Sequence, residues 1–227
     1  MIVATFSGSK GGTGKTTLAS FLSLVSSTVV PTLLIDASAD GGATSYLVGE
    51  VSGPYLSESP SESLRSVNVK DLKLTISVNR GPIRNVNEVI EFVKSLGFKI
   101  KIIDLPALTD VDTVGRYMPL IEVTDTILVV TEPNPASVST SLYTFGDKHV
   151  IIALNQPRPY YQTIVEYYRK VIDNFCKKTG CQYVVIPYDS AVARLSPQTL
   201  KKTIDLTSEE FDASIVRLLE LLIVGKM

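Results

Sequence analysis

The sequence predicts a doubly wound α/β fold, in which a mostly parallel sheet is flanked by helices on both faces. Short apolar runs rich in β-branched residues alternate with longer amphipathic segments along nearly the whole chain. Several of these runs are apolar at consecutive positions, as expected of strands that helices cover on both sides. The 227 residues are 44% hydrophobic and 20% charged, which suffices for one core. We therefore expect a single domain over residues 1–227.

Six apolar runs are predicted to be strands, and four amphipathic segments are predicted to be helices. The strands are expected at 2–6, 29–35, 99–103, 126–130, 150–154 and 183–186. The helices are expected at 15–26, 86–96, 161–177 and 208–222. In the third helix, apolar residues at three- and four-residue steps predict a core-facing stripe of Ile164, Tyr168, Val171 and Phe175. Residues 49–63, rich in Ser, Pro and Gly, are predicted to form a surface loop.

The composition excludes several classes of protein. A net charge of -1 with this hydrophobic content is typical of a globular chain and excludes a disordered scaffold. The longest apolar stretches, such as 218–224, are well short of the about 20 residues that span a bilayer. No basic segment leads into a cleavable hydrophobic one, so we expect a cytoplasmic location. Cys176 and Cys181 are too few for a disulfide framework and lack metal-knuckle spacing, which predicts plain packing in a reduced compartment.

A glycine-rich segment lies between the first predicted strand and the first predicted helix. Residues 7–17 read Ser-Gly-Ser-Lys-Gly-Gly-Thr-Gly-Lys-Thr-Thr. Glycines there let backbone N–H groups turn toward phosphate oxygens, and the following helix start adds a partial positive charge. Lys15 is expected to reach the β- and γ-phosphates, Thr16 to bind Mg²⁺, and Thr17 to contact the α-phosphate. A turn that merely opens the helix is the alternative. The other expected cradle residues are Gly11, Gly12, Thr13 and Gly14.

Two details of this loop differ from a plain Walker A motif. Ser9 stands where the first glycine would be, and Lys10 precedes the Gly-Gly pair. The string Lys-Gly-Gly-Thr-Gly-Lys-Thr-Thr at 10–17 resembles the deviant Walker A box of the ParA/MinD ATPases. The resemblance implies that Lys10 crosses a dimer interface to the phosphates bound by the other subunit and couples ATP to dimerisation. A solvated loop lysine is the alternative interpretation.

Two aspartates end predicted strands and are candidates for a metal site with Thr16. A carboxylate at the carboxyl end of a parallel strand, beside a phosphate loop, can hold Mg²⁺ or a water bound to it. Asp36 resembles the first aspartate of the family's switch I segment, and Asp104 resembles its Walker B aspartate at the start of switch II. A simple strand-ending cap is the alternative for Asp104.

The segment after Asp36 departs from the family's pattern. In switch I of ParA members a second aspartate helps to position the attacking water, and Ser38 occupies that place here. Serine carries no charge, so it does not replace a carboxylate that stabilises an activated water. Either Asp40 takes over this catalytic role, or the protein is a very slow ATPase that acts mainly as an ATP-dependent dimer. A third possibility is that Asp40 only forms a turn before two glycines.

Two strand-end strings are similar to the family's base-recognition region. Asn155 carries an amide that can both donate to and accept from adenine, and Pro187 supplies a flat apolar wall. Asparagine is also a common turn residue at the end of a strand, and that interpretation remains open.

Positive charge is concentrated in one part of the chain. Residues 151–202 hold eight basic and three acidic residues, a net +5, whereas the whole chain has a net charge of -1. This asymmetry permits a basic face that doubles in a dimer, and the resemblance implies non-specific DNA binding by that dimer. Solvated helix faces are the alternative. The last predicted helix is too acidic for a membrane-surface helix of the MinD kind, so we expect it to pack in the core.

Together, the resemblance implies a ParA-like ATPase that binds ATP and Mg²⁺ as a homodimer. Its function would be plasmid or chromosome partitioning, with a ParB-like or other stimulating partner protein and without membrane association. Lys10, Lys15 and Asp40 are the expected catalytic residues. Two alternatives stay open: a MinD-like, membrane-associated positioning ATPase, and a very slow ATP-locked dimeric switch.

Overall fold

A central sheet with helices on both faces is the core of the computed structural model, which describes residues 1–8, 11–197 and 199–225. The doubly wound α/β prediction is confirmed. The strands are Ile2–Phe6 (β1), Thr32–Asp36 (β2), Leu64–Val69 (β3), Leu72–Ser77 (β4), Ile100–Asp104 (β5), Thr126–Thr131 (β6), His149–Asn155 (β7) and Gln182–Ile186 (β8). The helices are Lys15–Ser27 (α1), Gly42–Leu47 (α2), Val86–Ser95 (α3), Val111–Glu122 (α4), Pro135–Ser139 (α5), Gln162–Thr179 (α6), Leu200–Thr203 (α7) and Glu209–Val224 (α8).

The strand order is β3-β4-β2-β5-β1-β6-β7-β8. Neighbouring strands run parallel except in the β3–β4 hairpin at one edge, which is antiparallel. The carboxyl ends of β1, β2 and β5 therefore meet at the same edge of the sheet. The phosphate loop follows β1 at this edge, and the two candidate metal aspartates, Asp36 and Asp104, are the last residues of β2 and β5.

Two apolar cores lie on opposite faces of the sheet. Alternate residues of one strand enter different cores: Val3 contacts the core beneath α1 and α8, and Ala4 contacts the core beneath α3, α4 and α6. In the first core, Phe21 of α1 meets Phe211 of α8 edge to face, with ring centroids 5.1 Å apart. The prediction that the last helix packs in the core is confirmed.

The β3–β4 hairpin and helix α4 were not predicted. In the hairpin, apolar residues alternate with polar ones, as Val67 and Val69 do around Asn68, because only one side of this edge is buried. Helix α4 contains Gly115 and Pro119, two residues that normally argue against a helix. The N-cap residue of α4 is Asp110, whose carboxylate accepts a hydrogen bond from the Thr113 N–H at 2.8 Å.

Two local predictions were wrong in position. In α6, Tyr168 and Phe175 pack against the core as predicted. The buried residues of the helix are however Val165, Ile172 and Cys176, each one position after a predicted residue, and Ile164 is exposed. The second strand begins at Thr32 instead of residue 29, since Val29 is exposed. Residues 49–63 do form a loop with a short 3₁₀ turn, although Leu56 and Pro60 within it are buried.

The prediction for the cysteines was also wrong. Cys176 and Cys181 are joined by a disulfide. Helix α6 ends at Gly180, whose φ of 77° reverses the chain, and the Gly180 N–H donates to the Cys176 carbonyl at 2.8 Å. This turn brings the two cysteine Cα atoms to 4.5 Å from each other. Spacing along the sequence does not reveal such a turn-closing bridge.

The described residues contain no helix that has both the length and the apolar character needed to cross a membrane.

Candidate functional site

The loop between β1 and α1 borders a cavity of about 280 Å³. Gly12, with φ of 77°, and Gly14, with φ of 96°, adopt left-handed backbone conformations that other residues rarely take. The structure brings the predicted residues Gly12 to Thr17 to this cavity, and it leaves Gly11 exposed beside them. Ser9 and Lys10 lie outside the described residues, so the role of Lys10 stays a prediction.

The loop is held by close contacts with the other half of the sheet. A Cβ atom on Gly8 would overlap the carbonyl oxygen of Thr140, and one on Gly14 would overlap the amide of Asn155. The Asn155 Nδ2 group donates to the Thr13 carbonyl at 2.7 Å. Asn155, predicted as a base-binding residue, therefore supports the loop backbone and lines the same cavity.

Lys15 lies inside the loop with only 7% of its surface exposed. Its Nζ donates to the Ser7 hydroxyl at 2.8 Å. Burial lowers the pKa of Lys15, and the nearby carboxylate of Asp104 opposes this effect. The ammonium group is thus held at Ser7, beside the phosphate loop, and its expected contact with phosphate oxygens stays a prediction.

Asp36 and Asp104 are neighbours across the β2–β5 pairing. Asp36 is fully buried and accepts four hydrogen bonds, from the backbone N–H and hydroxyl of Ser38 and from the same two groups of Thr44, at 2.8 to 3.1 Å. Burial raises the pKa of Asp36 although these bonds oppose it. The carboxylate of Asp36 is therefore used to fold the segment that follows β2.

One carboxylate oxygen of Asp104 has no hydrogen-bond partner among the residues that the structure describes. Its Oδ1 accepts from the Thr5 hydroxyl at 3.3 Å, whereas Oδ2 is buried and has no hydrogen-bond partner within the described part of the chain. Burial and the charge of Asp36 raise the pKa of Asp104 to about 7, although Thr16, Lys15 and Thr5 lower it.

A magnesium ion fits this arrangement of Thr16 and Asp104. A buried carboxylate oxygen without a partner needs a cation, a proton or a water. The described residues include no group of three or more His, Cys, Asp or Glu side chains placed to hold a metal ion. An ion at this point would complete its shell with phosphate oxygens and water, which is the way Mg²⁺ is usually bound beside nucleotides.

Ser38 has a structural position in the segment after β2. Its hydroxyl donates to Asp36 Oδ1 at 2.8 Å and accepts from the Gly42 N–H at 3.1 Å. Its carbonyl accepts from the Asn79 amide at 2.8 Å. Neither this network nor the role of Asn79 was predicted. The contact of Asn79 with Ser38 depends on β4, a strand that sequence periodicity missed.

Asp40 does not line the cavity at the phosphate loop. It is exposed and borders a separate cavity of about 310 Å³, together with Asn79 and Arg80. The carboxylate predicted to activate water and the residues Lys15 and Thr16 therefore line different cavities.

The other end of the loop cavity is formed by residues after β7 and β8. Pro187 lines it beside Asp189 and Phe211, and its expected contact with the base stays a prediction. Asp189 was assigned no separate role by the sequence. Burial alone would raise the pKa of Asp189, but the N–H groups of Val192, Ser208 and Ala191 donate to it, and the net result is a lowered pKa. Asp189 thereby joins β8 to the start of α8.

The basic residues between 151 and 202 do not form one face. Three of the eight make ion pairs, namely Arg158 with Glu132, Arg169 with Glu166 and Lys177 with Asp173. Helices α6 and α7 pack into different cores and so lie on opposite faces of the sheet. Within the described residues, the bases without a carboxylate partner are Lys170 and Lys178 on α6, Arg194 in a 3₁₀ turn, and Lys201 and Lys202 on α7.

No protein-family model matches the chain, and no curated protein matches its sequence. Solved structures match it over nearly the whole length. A single-residue variant of McdA from Cyanothece, in complex with ATP, is 18% identical with a TM-score of 0.74, and the match covers 98% of this chain and 96% of that one.

Two further structures match in the same way. The septum site-determining protein MinD from Pyrococcus horikoshii, complexed with Mg-ADP, is 18% identical with a TM-score of 0.69, covering 97% of this chain and 95% of that one. The pNOB8 ParA bound to nonspecific DNA is 12% identical with a TM-score of 0.70, covering 97% of each chain. At these identities the likeness establishes the fold alone, which this chain shares with the McdA, MinD and ParA structures.

Proposed function

We propose that this chain is a ParA/MinD-type ATPase that binds ATP together with Mg²⁺. One observation carries the proposal: Lys15 and Thr16 lie close to the buried carboxyl of Asp104, and one oxygen of that carboxyl has no hydrogen-bond partner among the described residues. The McdA complex with ATP and the MinD complex with Mg-ADP support it, because both proteins share this fold.

Each residue of the site has a distinct role in the proposal. The N–H groups of the loop and Lys15 bind the phosphates, and Thr16 with Asp104 holds the magnesium ion and its water. When bound, Mg²⁺ neutralises charge on the β- and γ-phosphates. Asn155 and Pro187 position the base, while Asp36 keeps the segment after β2 folded against the loop.

Calorimetry with ATP tests this proposal. The wild-type protein should release or absorb heat on titration with ATP and MgCl₂, and Thr16→Ala and Asp104→Asn should lower the affinity at least about tenfold, or about 1.4 kcal/mol. Asp112→Asn is the matched control, since Asp112 is exposed on α4. The absence of any heat with the wild-type protein would reject the proposal.

ATP binding is proposed to join two copies of the chain, with Lys10 reaching the phosphates of the other copy. The support is the loop string at 10–17 and its resemblance to the deviant Walker A box. Sedimentation velocity should show a dimer with ATP and a monomer without it. Lys10→Ala should remain monomeric with ATP while still binding the nucleotide, and a dimer in that variant would contradict the role.

The dimer is proposed to bind DNA without sequence specificity and to partition a plasmid or chromosome, with a ParB-like or other stimulating partner. The pNOB8 ParA, which has the same fold, is bound to nonspecific DNA in its structure. DNA retention should require ATP and fall steeply with salt. Liposome retention alone would instead support the MinD-like alternative, although most large apolar residues of α8 are buried in a core and only Val216, Ile223 and Val224 are exposed.

The two unpaired basic clusters permit a sharper test of DNA binding. The double variant Lys201→Ala/Lys202→Ala changes α7, and Lys170→Ala/Lys178→Ala changes the opposite face on α6. Loss of DNA retention in only one of the two identifies the face that contacts the phosphates. If both double variants retain DNA as the wild-type protein does, the basic residues between 151 and 202 do not bind the DNA and this part of the proposal is wrong.

The ATP-locked dimer is a second candidate, and one observation favours it. The Ser38 hydroxyl is bonded to Asp36 and Gly42, and Asp40 borders a different cavity, so no carboxylate from this segment lines the loop cavity in the described structure. Phosphate release should then be very slow and unchanged in Asp40→Ala. If Asp40→Ala abolishes turnover and leaves ATP binding intact, Asp40 is the catalytic residue instead.

A further inference from the structure

A second cavity, of about 550 Å³, lies between α4 and residues 140–148. Its volume is within the range of about 300–1,000 Å³ that is typical of small-molecule sites. It shares one wall with the phosphate loop, because Gly8 lines it, and another with the segment after β5, because Leu108 lines it. It shares no lining residue with the cavity that Lys15 and Thr16 border.

The lining of this second cavity is mainly apolar and partly aromatic. Phe6 meets Tyr143 edge to face at 6.3 Å between ring centroids and meets Phe145 in the same way at 5.1 Å. The opposite wall comes from Leu108 together with Val114, Met118 and Ile121 of α4. Three aromatic rings on one wall offer edges and faces against which another ring can pack.

The entrance to the cavity is open to solvent and adaptable. Met118 is 39% exposed and Tyr143 is 52% exposed. Methionine is flexible and polarisable, so it adjusts to ligands of different shape. A large apolar wall that remains exposed costs free energy, which is regained when an apolar molecule covers it.

The charges of this cavity balance. Among its lining residues, Glu122 and Lys148 carry opposite charges. The Lys148 Nζ already donates to the carbonyl oxygens of Glu122 and Thr124, each at 2.8 Å, so two of its three protons are used. A charged ligand would find no net opposite charge to compensate the loss of its hydration.

We propose that this cavity is a second ligand site, which takes a small, neutral molecule with an aromatic ring. Apolar contact with Phe6, Val114 and Phe145 supplies the affinity, and the hydroxyl of Thr144 offers a hydrogen bond. A molecule bound here would not occupy the place of the nucleotide, because the two cavities have no lining residue in common.

The neutral dye N-phenyl-1-naphthylamine, whose fluorescence rises in apolar surroundings, tests the proposal. Titration of the wild-type protein should give a saturable rise with one dye per chain. Val114→Trp fills the cavity and should weaken binding at least about tenfold, or about 1.4 kcal/mol. The matched control is Val111→Trp on the same helix, at a position that is 86% exposed and outside the cavity. Excitation at a wavelength that tryptophan does not absorb keeps the variants comparable.

Several results would overturn the proposal. These are no saturable rise with the wild-type protein, equal binding by both tryptophan variants, or displacement of the dye by ATP with Mg²⁺, which would place the dye at the phosphate loop. If circular dichroism shows that Val114→Trp does not fold, Met118→Trp makes the same test from the partly exposed entrance. Retained binding in that variant would also count against the site.

Discussion

Gly14 shows how one residue determines the shape of the phosphate loop. Its φ of 96° is open to glycine and strained for other residues, and the Asn155 amide occupies the space a side chain would need. That amide in turn donates to the Thr13 carbonyl, so backbone and side chain fix each other.

Gly14→Ala should therefore destabilise the loop. The strained backbone costs about 1–3 kcal/mol, and the displaced Asn155 loses its hydrogen bond to Thr13. Urea unfolding should show this loss, and ATP affinity should fall in parallel. Gly97→Ala is the control, since Gly97 has free space around it and no positive φ. Equal stability of the two variants would contradict the role of Gly14.

Asp104 should make stability depend on pH. Its pKa in the folded chain is about 7, raised by burial and by the charge of Asp36, from 3.8 in the unfolded chain. The folded state therefore binds the proton more tightly than the unfolded state does, and this difference stabilises the folded chain. The stabilisation is fully present below pH 3.8 and is lost as the pH rises toward 7. Urea unfolding without Mg²⁺ measures the free energy of unfolding at about pH 5 and at about pH 8. The decrease between these two pH values should be smaller in Asp104→Asn than in the wild-type protein. An unchanged difference would contradict the assignment.

At the scale of the element, the C-terminal end of α6 determines how this helix is joined to β8. The left-handed Gly180 stops it, and the disulfide between Cys176 and Cys181 closes the turn into β8. Because Cys176 is buried in the core beneath α6, the bridge attaches the first residue before β8 to that core.

Reduction of this disulfide should lower stability modestly. The bridge closes a short loop, for which the chain-entropy estimate gives about 2 kcal/mol. Urea unfolding with and without dithiothreitol measures the effect. The Cys176→Ala/Cys181→Ala variant should be insensitive to the reductant. A wild-type protein whose unfolding does not respond to reductant would contradict the expected contribution.

At the scale of the whole molecule, one sheet separates two cores and holds them together. Central strands such as β1 contribute alternate side chains to each, as Val3 and Ala4 do. Neither core is complete without the sheet, so loosening one exposes the strands that support the other.

The chain should therefore unfold in a single transition, as the prediction of one domain over residues 1–227 requires. Far-UV circular dichroism and fluorescence of the ten tyrosines, in a chain without tryptophan, should give coincident urea curves. Two separated transitions would indicate independent units and contradict that prediction.

Much of the fold and part of the site could be predicted, because their signals are local. Strand β6 is a continuous apolar run, and the string around Lys15 and Thr16 places glycines, lysine and hydroxyl in a fixed order. Asp104 ends a buried strand, so topology alone brings it to the loop.

The remaining features depend on contacts between distant segments. The Thr44 bonds to Asp36 need the turn at Gly41, and the Asn79 bond to Ser38 needs the hairpin strand β4 beside β2. The β3–β4 hairpin itself has the alternating pattern of a half-buried edge, which a search for continuous apolar runs passes over.

The contact of Gly8 with the Thr140 carbonyl has a mechanical consequence. With no room for even one methyl group between them, the entry to the phosphate loop cannot swing toward the segment after α5 unless that segment withdraws. The start of the phosphate loop and the segment after α5, which are remote in sequence, must therefore move together. The contact at Gly8 limits how far either of them can move without the other.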